Sequence, residues 1–279
     1  MKTWRPVALA LFLCAILPVA LLSAAFQSDK VITETILLYD GCLESTPNQQ
    51  GFSYLAVGQR ASRLSVSGVT VLDTTGEISD QAGYFSREEH PLDRRLGFKL
   101  QFTMQIGEEE HLSSHRAGFS VIVLSDDLQG LELAFWEDEI WAQEGGSADS
   151  LFTHAEGTSF DTTSDLTTYE LSVRNDTYSL STGGTPILSG PLRDYTAFDG
   201  FPDIYESPGL IFLGDNSTRA AAKTAVSFVA LETNLPIAAT ATRPATTIPR
   251  PTVSATPHPA DKLYMWHSCL KGVDVDARK

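Results

Sequence analysis

The chain has 279 residues, 42% of them hydrophobic, enough for one large domain with extensions; that content excludes a globally disordered polymer. Its 35 acidic and 20 basic side chains give a formal charge of −15. Such a field repels phosphate backbones and anionic headgroups, so a nucleic-acid partner is excluded.

Residues 1–25 read as a secretory signal peptide. Lys2 and Arg5 form a basic start, Val7–Leu22 is apolar apart from Pro18, and Ser23, Ala24 and Ala25 offer a cleavage site before Phe26. The apolar run is long for a signal and short for a membrane span, so an uncleaved anchor is the other reading. Cys14 lies inside that run without small residues before it, which disfavours a lipoprotein. Export would let Cys42 and Cys269 pair. A pair this remote has no local spacing signature, and two unpaired thiols fit the sequence better.

Residues 26–233 read as a β-domain. Thr33–Tyr39, Gly51–Val57 and Leu64–Leu72 are strand-like, punctuated by Gly58, Gly68 and Gly76. In Leu96–Ile106 the residues Phe98, Leu100, Phe102, Met104 and Ile106 alternate with Lys99, Gln101, Thr103 and Gln105, the mark of a half-buried antiparallel strand. Glu108–Ser114 follows as a charged loop. Ala117–Leu124 is apolar on both faces and reads as a central strand.

The segment Gly130–Gly145 is the most informative. Leu131, Leu133 and Phe135 alternate with Glu132, Ala134 and Trp136; after an acidic turn at Glu137 and Asp138, Ile140 and Ala142 alternate with Glu139, Trp141 and Gln143. Alternate side chains of a strand point to opposite faces. One face of this hairpin belongs to the core, and the other carries two indoles beside carboxylates and an amide. Leu151–Glu156 places Phe152, His154 and Glu156 together. Leu166–Val173, Asp176–Ser181, Thr185–Ser189, Leu210–Leu213 and Ala225–Thr233 complete the strands, with Gly183 and Gly184 as a hairpin turn and Leu192–Tyr205 irregular and rich in Asp and aromatics. Short, regularly punctuated strands indicate a sandwich or barrel.

Residues 234–260 hold six prolines among Thr and Ala, from Pro236 to Pro259, the composition of an extended linker or an O-glycosylated stalk. Residues 261–279 form a short polar tail, too small to fold alone. No internal repeat is present.

The run Arg116 to Ser120, then GLELAFW, EIWAQ and Gly209 to Asp215 resembles the concanavalin A-like lectin/glucanase superfamily. It is most similar there to laminin G-like jelly rolls and, more narrowly, to secreted bacterial β-sandwich proteins of unknown function with variable C-terminal sorting segments. The resemblance covers about Val31–Thr233. It implies two stacked antiparallel sheets, one concave, with carbohydrate held on the concave face or its rim. Superfamily glucanases place carboxylates at alternate positions of one strand. Here Glu137, Asp138 and Glu139 are contiguous, so that motif is absent.

A catalytic pair made of Glu132 and Glu139 would be separated by about 13–14 Å at roughly 3.4 Å per residue. That exceeds the ~5–5.5 Å of retaining and ~6.5–9.5 Å of inverting glycosidases. A carbohydrate platform needs flat aromatics with polar groups at their edges, which the outward face of the hairpin offers. The competing reading packs both indoles under a loop. Calcium is a possible cofactor, with Asp215, Asp126 and Asp127 as candidate ligands among loop acids that include Asp194, Asp199 and Asp203; no EF-hand spacing is present. His90, His111, His115 and His154 lack zinc spacing. No G-x-S-x-G elbow occurs. The sequons at Asn175 and Asn216 suit surface loops.

The sequence thus predicts an exported, all-β, two-sheet antiparallel jelly-roll β-sandwich with an N-terminal signal segment and a disordered Pro/Thr-rich C-terminal tail. The expected role is a non-catalytic carbohydrate- or surface-binding module, its ligand contacts Glu132, Trp136, Glu139, Trp141, Gln143 and His154. The expected partner is a glycan or cell-surface polymer, with no membrane span after cleavage. A structural or adhesive envelope protein, and a glycoside hydrolase or lyase, are the alternatives.

Overall fold

The structure is a computed structural model that describes residues 31–87 and 90–236. The expected signal segment, most of the linker, the polar tail and Cys269 lie outside the described residues. Cys42 is disulfide-bonded.

Fifteen strands build two antiparallel sheets. The first contains β1 (Val31–Asp40), β3 (Ser62–Val66), β4 (Val69–Asp73), β6 (Phe98–His111), β11 (Thr167–Arg174), β12 (Thr177–Thr182), β13 (Thr185–Pro191) and β15 (Ala220–Pro236). The second contains β2 (Ser53–Val57), β5 (Gln81–Ser86), β7 (Ser120–Leu124), β8 (Gly130–Phe135), β9 (Glu139–Gln143), β10 (His154–Ser159) and β14 (Ile211–Asp215). Its strand order is β10-β9-β8-β7-β14-β5-β2. Among the described residues the only helical elements are two short 3-10 turns, and no helix is long and apolar enough to cross a membrane.

The sheets pack face to face through the alternating residues that the sequence marks. Phe98, Leu100, Phe102, Met104 and Ile106 of β6 share one core with Leu131, Leu133 and Phe135 of β8 and Ile140 and Ala142 of β9. Phe102 meets Phe135 edge to face across the interface, ring centres 6.1 Å apart. At about 25 cal/mol per Å2 of apolar area, this shared core is the main drive for stacking the sheets.

Three elements differ from the sequence reading. Residues 108–111, expected as a charged loop, extend β6, because the Ala-rich start of β15 supplies a partner ladder and sets Lys223 opposite Glu108. Leu64–Leu72 divides at Ser67–Gly68 into the hairpin β3–β4, where positive φ values of 52° and 83° make the turn. Strand β5 has no strong period in sequence, since Gly83 occupies an outward position. A Cβ there would fall 2.4 Å from the Phe212 ring, so glycine is what lets β14 lie close.

Candidate functional site

The hairpin β8–β9 has the register its alternation dictates. Ala134 pairs with Trp141 and Phe135 with Ile140, and the Trp136 amide donates to the Glu139 carbonyl at 2.9 Å to close the acidic turn. Glu132, Ala134, Trp141 and Gln143 therefore do face away from the core. They do not face an open groove. Glu132, Trp141 and Gln143 each have no exposed surface, while Trp136, Glu139 and His154 are half-buried.

The cause lies in the adjacent strands. The same outer face presents Ile122, Leu124 and Phe212, and leaving such side chains in water costs about 1.5–3 kcal/mol each. The segment 192–210, of which Leu192–Tyr205 reads as irregular in the sequence, folds over them and lays Tyr195, Phe198, Ile204, Tyr205 and Leu210 against that face. It is fixed at one end by mutual backbone bonds between Gly130 and Arg193, and by the Arg193 guanidinium, which reaches Glu144 at 2.8 Å and Glu156.

Trp141 is covered separately by a stack of rings. His154 lies flat on it with centres 4.0 Å apart, and Trp136 meets it edge-on at 4.5 Å. His111 in turn lies on Trp136 at 4.0 Å. The Trp141 indole N–H is buried without a partner. The expected open aromatic platform is thus corrected to a roofed one, although Trp136 and His154 keep some exposure. Burial lowers the pKa of His154, and His115 and His111 push the same way against the opposing pull of Glu139.

The polar residues of the hairpin instead brace the parts around them. Both Glu132 oxygens accept from inside the fold: Oε1 from the Ser120 hydroxyl and the Asn216 amide, each at 3.1 Å, and Oε2 from the Tyr205 hydroxyl. Burial, then the Glu132 charge, hold the Tyr205 hydroxyl well above the usual phenol range. The Gln143 amide donates to the carbonyl of His115 at 3.1 Å, and the Trp136 indole donates to the carbonyl of Arg116 at 3.0 Å. The stretch His115–Arg116 is thereby tied to the β8–β9 hairpin at two points, and at Gly118 the same stretch of chain runs close to β15: a Cβ there would sit 2.0 Å from the Ala221 backbone.

These braced residues converge on a cavity of about 300 Å3, near the lower end of the range for small-molecule sites. It is lined by Gly83 and Phe212 of the sheet, by Phe198, Phe201 and Tyr205, and by Arg116 with residues 215–219. Phe201 is 86% exposed and stands at the mouth, joined to Pro202 by a cis peptide bond. Arg116 lies with its guanidinium carbon 4.6 Å from the Phe152 ring centre and donates to the Asn216 carbonyl at 3.3 Å. The sequence reading missed Arg116, Phe198 and Phe201 as site residues. The aromatic cluster within 192–205 is the one signal that pointed there.

The expected calcium ligands are not brought together. Asp215 ends β14 beside the start of β7, whereas Asp126 and Asp127 follow the other end of β7. Asp126 accepts from the Leu92 amide at 3.1 Å, and Asp127 pairs with Arg94 at 2.9 Å. Asp215 accepts from Thr74 at 2.7 Å and from the Ser217 amide at 2.8 Å, and burial pushes its pKa well above the carboxylate range. Among the described residues no three His, Cys, Asp or Glu side chains are arranged to hold a metal ion. Of the two sequons, Asn175 lies in an exposed turn, but the Asn216 amide is engaged by Glu132 and Tyr205.

No family model and no curated protein matches this chain. Solved structures with a similar course of chain do exist. One is described as a conserved carbohydrate esterase of the Shiga toxin-encoding bacteriophage phi24B, 12% identical, with a TM-score of 0.49 over 73% of this chain and 99% of that one. A second is a Bacillus subtilis protein of unknown function with a galectin-like fold, 10% identical, TM-score 0.47, covering 75% and 100%. A third is the carbohydrate recognition domain of Emp46p, 11% identical, TM-score 0.45, covering 70% and 94%.

Proposed function

We propose that the chain is an exported, non-catalytic glycan-binding module that engages a glycan or cell-surface polymer. Its ligand seats in the cavity between Phe201 and Arg116. The observation that carries the proposal is the chemistry of the lining: aromatic rings, among them the exposed Phe201, and hydrogen-bonding side chains surround one space of about 300 Å3. Sugars need that pairing, because a ring face is apolar and its edge is a row of hydroxyls. Asn216 adds a carbonyl oxygen, Oδ1, that is buried without a partner. Glu132, Trp136 and Gln143 act one layer below, positioning Asn216, Tyr205 and Arg116.

Binding is favoured over hydrolysis by the state of the carboxylates. The oxygens of Glu132 and Asp215 are already occupied by internal donors. A glycan array read with the full chain, followed by calorimetry on its best ligand, tests the reading. Phe201→Ala removes an aromatic face worth about 1.5–3 kcal/mol when buried, and should weaken binding roughly ten- to a hundredfold without changing the fold. Unchanged affinity, or no glycan retained at all, rejects it.

A further inference from the structure

We infer that the ligand of this cavity carries a carboxylate, as a uronic or sialic acid residue does, and that Arg116 receives it. The inference rests on the glycan-binding reading above and specifies the ligand class.

It follows from the charges at the walls. Two arginines, Arg116 and Arg219, line the cavity, and Asp215 is the lone carboxyl among the described lining residues. The acidic surplus of the chain is thus inverted at this spot. Neither arginine has a carboxylate within ion-pairing distance among the described residues. Arg116 spends one nitrogen, Nη2, on the Asn216 carbonyl, and its Nη1 is buried without a partner. Arg219 donates only weakly, at 3.4 Å, to the Leu112 carbonyl. Arg94 and Arg193, by contrast, are each paired with two carboxylates.

A half-buried guanidinium without an anion is costly unless a partner arrives. A planar carboxylate is the group its fork of donors fits best. Asp215 does not serve: its oxygens are turned to Thr74 and Ser217. The guanidinium lies on the Phe152 ring and bonds the Asn216 carbonyl, and the Trp136 indole fixes the Arg116 main chain. Little side-chain freedom remains to be lost on binding.

The test compares matched probes on the full chain by calorimetry. Oligogalacturonate, a hyaluronan tetrasaccharide and sialyllactose are each set against the same sugar with its carboxyl reduced to an alcohol. At least one acidic probe should bind about tenfold or more tightly than its reduced form. Arg116→Gln should erase that preference and Arg116→Lys restore part of it, with thermal unfolding confirming the fold of each. Arg219→Gln should shrink it, and serves if the Arg116 variants do not fold. Equal affinity for acidic and reduced probes overturns the inference and leaves the glycan reading standing. Binding of neither kind overturns both.

Discussion

Glu132→Gln isolates the buried network that links the hairpin to the cavity. The change keeps shape and volume but converts one acceptor oxygen into a donor. The carboxylate accepts from Ser120 and Asn216 on one oxygen and from Tyr205 on the other. The better amide orientation keeps its oxygen towards Ser120 and Asn216 and turns its NH2 towards Tyr205. The Tyr205 hydroxyl already accepts from Asn216 at 2.8 Å, so its own proton loses its acceptor. A buried donor left unpaired costs about 1–3 kcal/mol, and the surviving bonds weaken from charge-assisted to neutral. Relief of a buried charge offsets part of this. The net expectation is a loss of about 2–3 kcal/mol. A domain of this size loses about 2–4 °C per kcal/mol, so Tm should fall by roughly 5–10 °C in a calorimetric scan. Glycan affinity should fall as well, because Tyr205 and Asn216 line the cavity. A Tm within a degree of the wild type, with binding intact, would refute the bracing role of Glu132.

Tyr195→Phe removes a hydroxyl that accepts from the Glu132 amide at 3.1 Å and donates to the Gln143 carbonyl at 2.8 Å. Urea denaturation should show a loss of about 2 kcal/mol, the cost of two buried backbone groups left partly unpaired. His154 has a folded pKa below its ordinary 6.5, so the native state binds fewer protons than the unfolded chain. Its stabilising contribution is present above pH 6.5 and lost as pH falls through the folded value, and His154→Gln should flatten that acid-side loss in a series of pH-dependent melts. Asp215 is the opposite case, with a raised folded pKa. Its contribution is full at low pH and declines as pH rises through and above the carboxylate range, so Asp215→Asn should gain stability over the wild type at pH 8 relative to pH 4.

Much of the fold is visible in the sequence because a strand announces itself by a period of two. Phe98 to Ile106 and Leu131 to Ala142 place every inward residue correctly, and a two-residue acidic turn is enough to set Ala134 opposite Trp141. The roof was not visible. Trp141 is covered by His154 and Trp136, rings from outside its own strand, and the rest of the outer face by residues 192–210, whose only local signal is a run of aromatics and turn formers. Strand β5 escaped for a similar reason: Gly83 sits where an alternating pattern needs a side chain. Arg116 escaped because a lone charge in a loop carries no period. Its place is set by Trp136 and Gln143, bonds that span 20 and 28 residues of chain. The residues singled out from the hairpin are therefore mainly supports, and the cavity they support lies between loops and the strands β2, β5 and β14.

Hydrogen–deuterium exchange of the full chain, with and without its best glycan, tests the location of the site most directly. Protection should appear in residues 196–206 and 215–219, two segments that line the cavity. Protection confined to β9 and β10, with none in those loops, would place the ligand on the Trp136 and His154 stack and contradict the account.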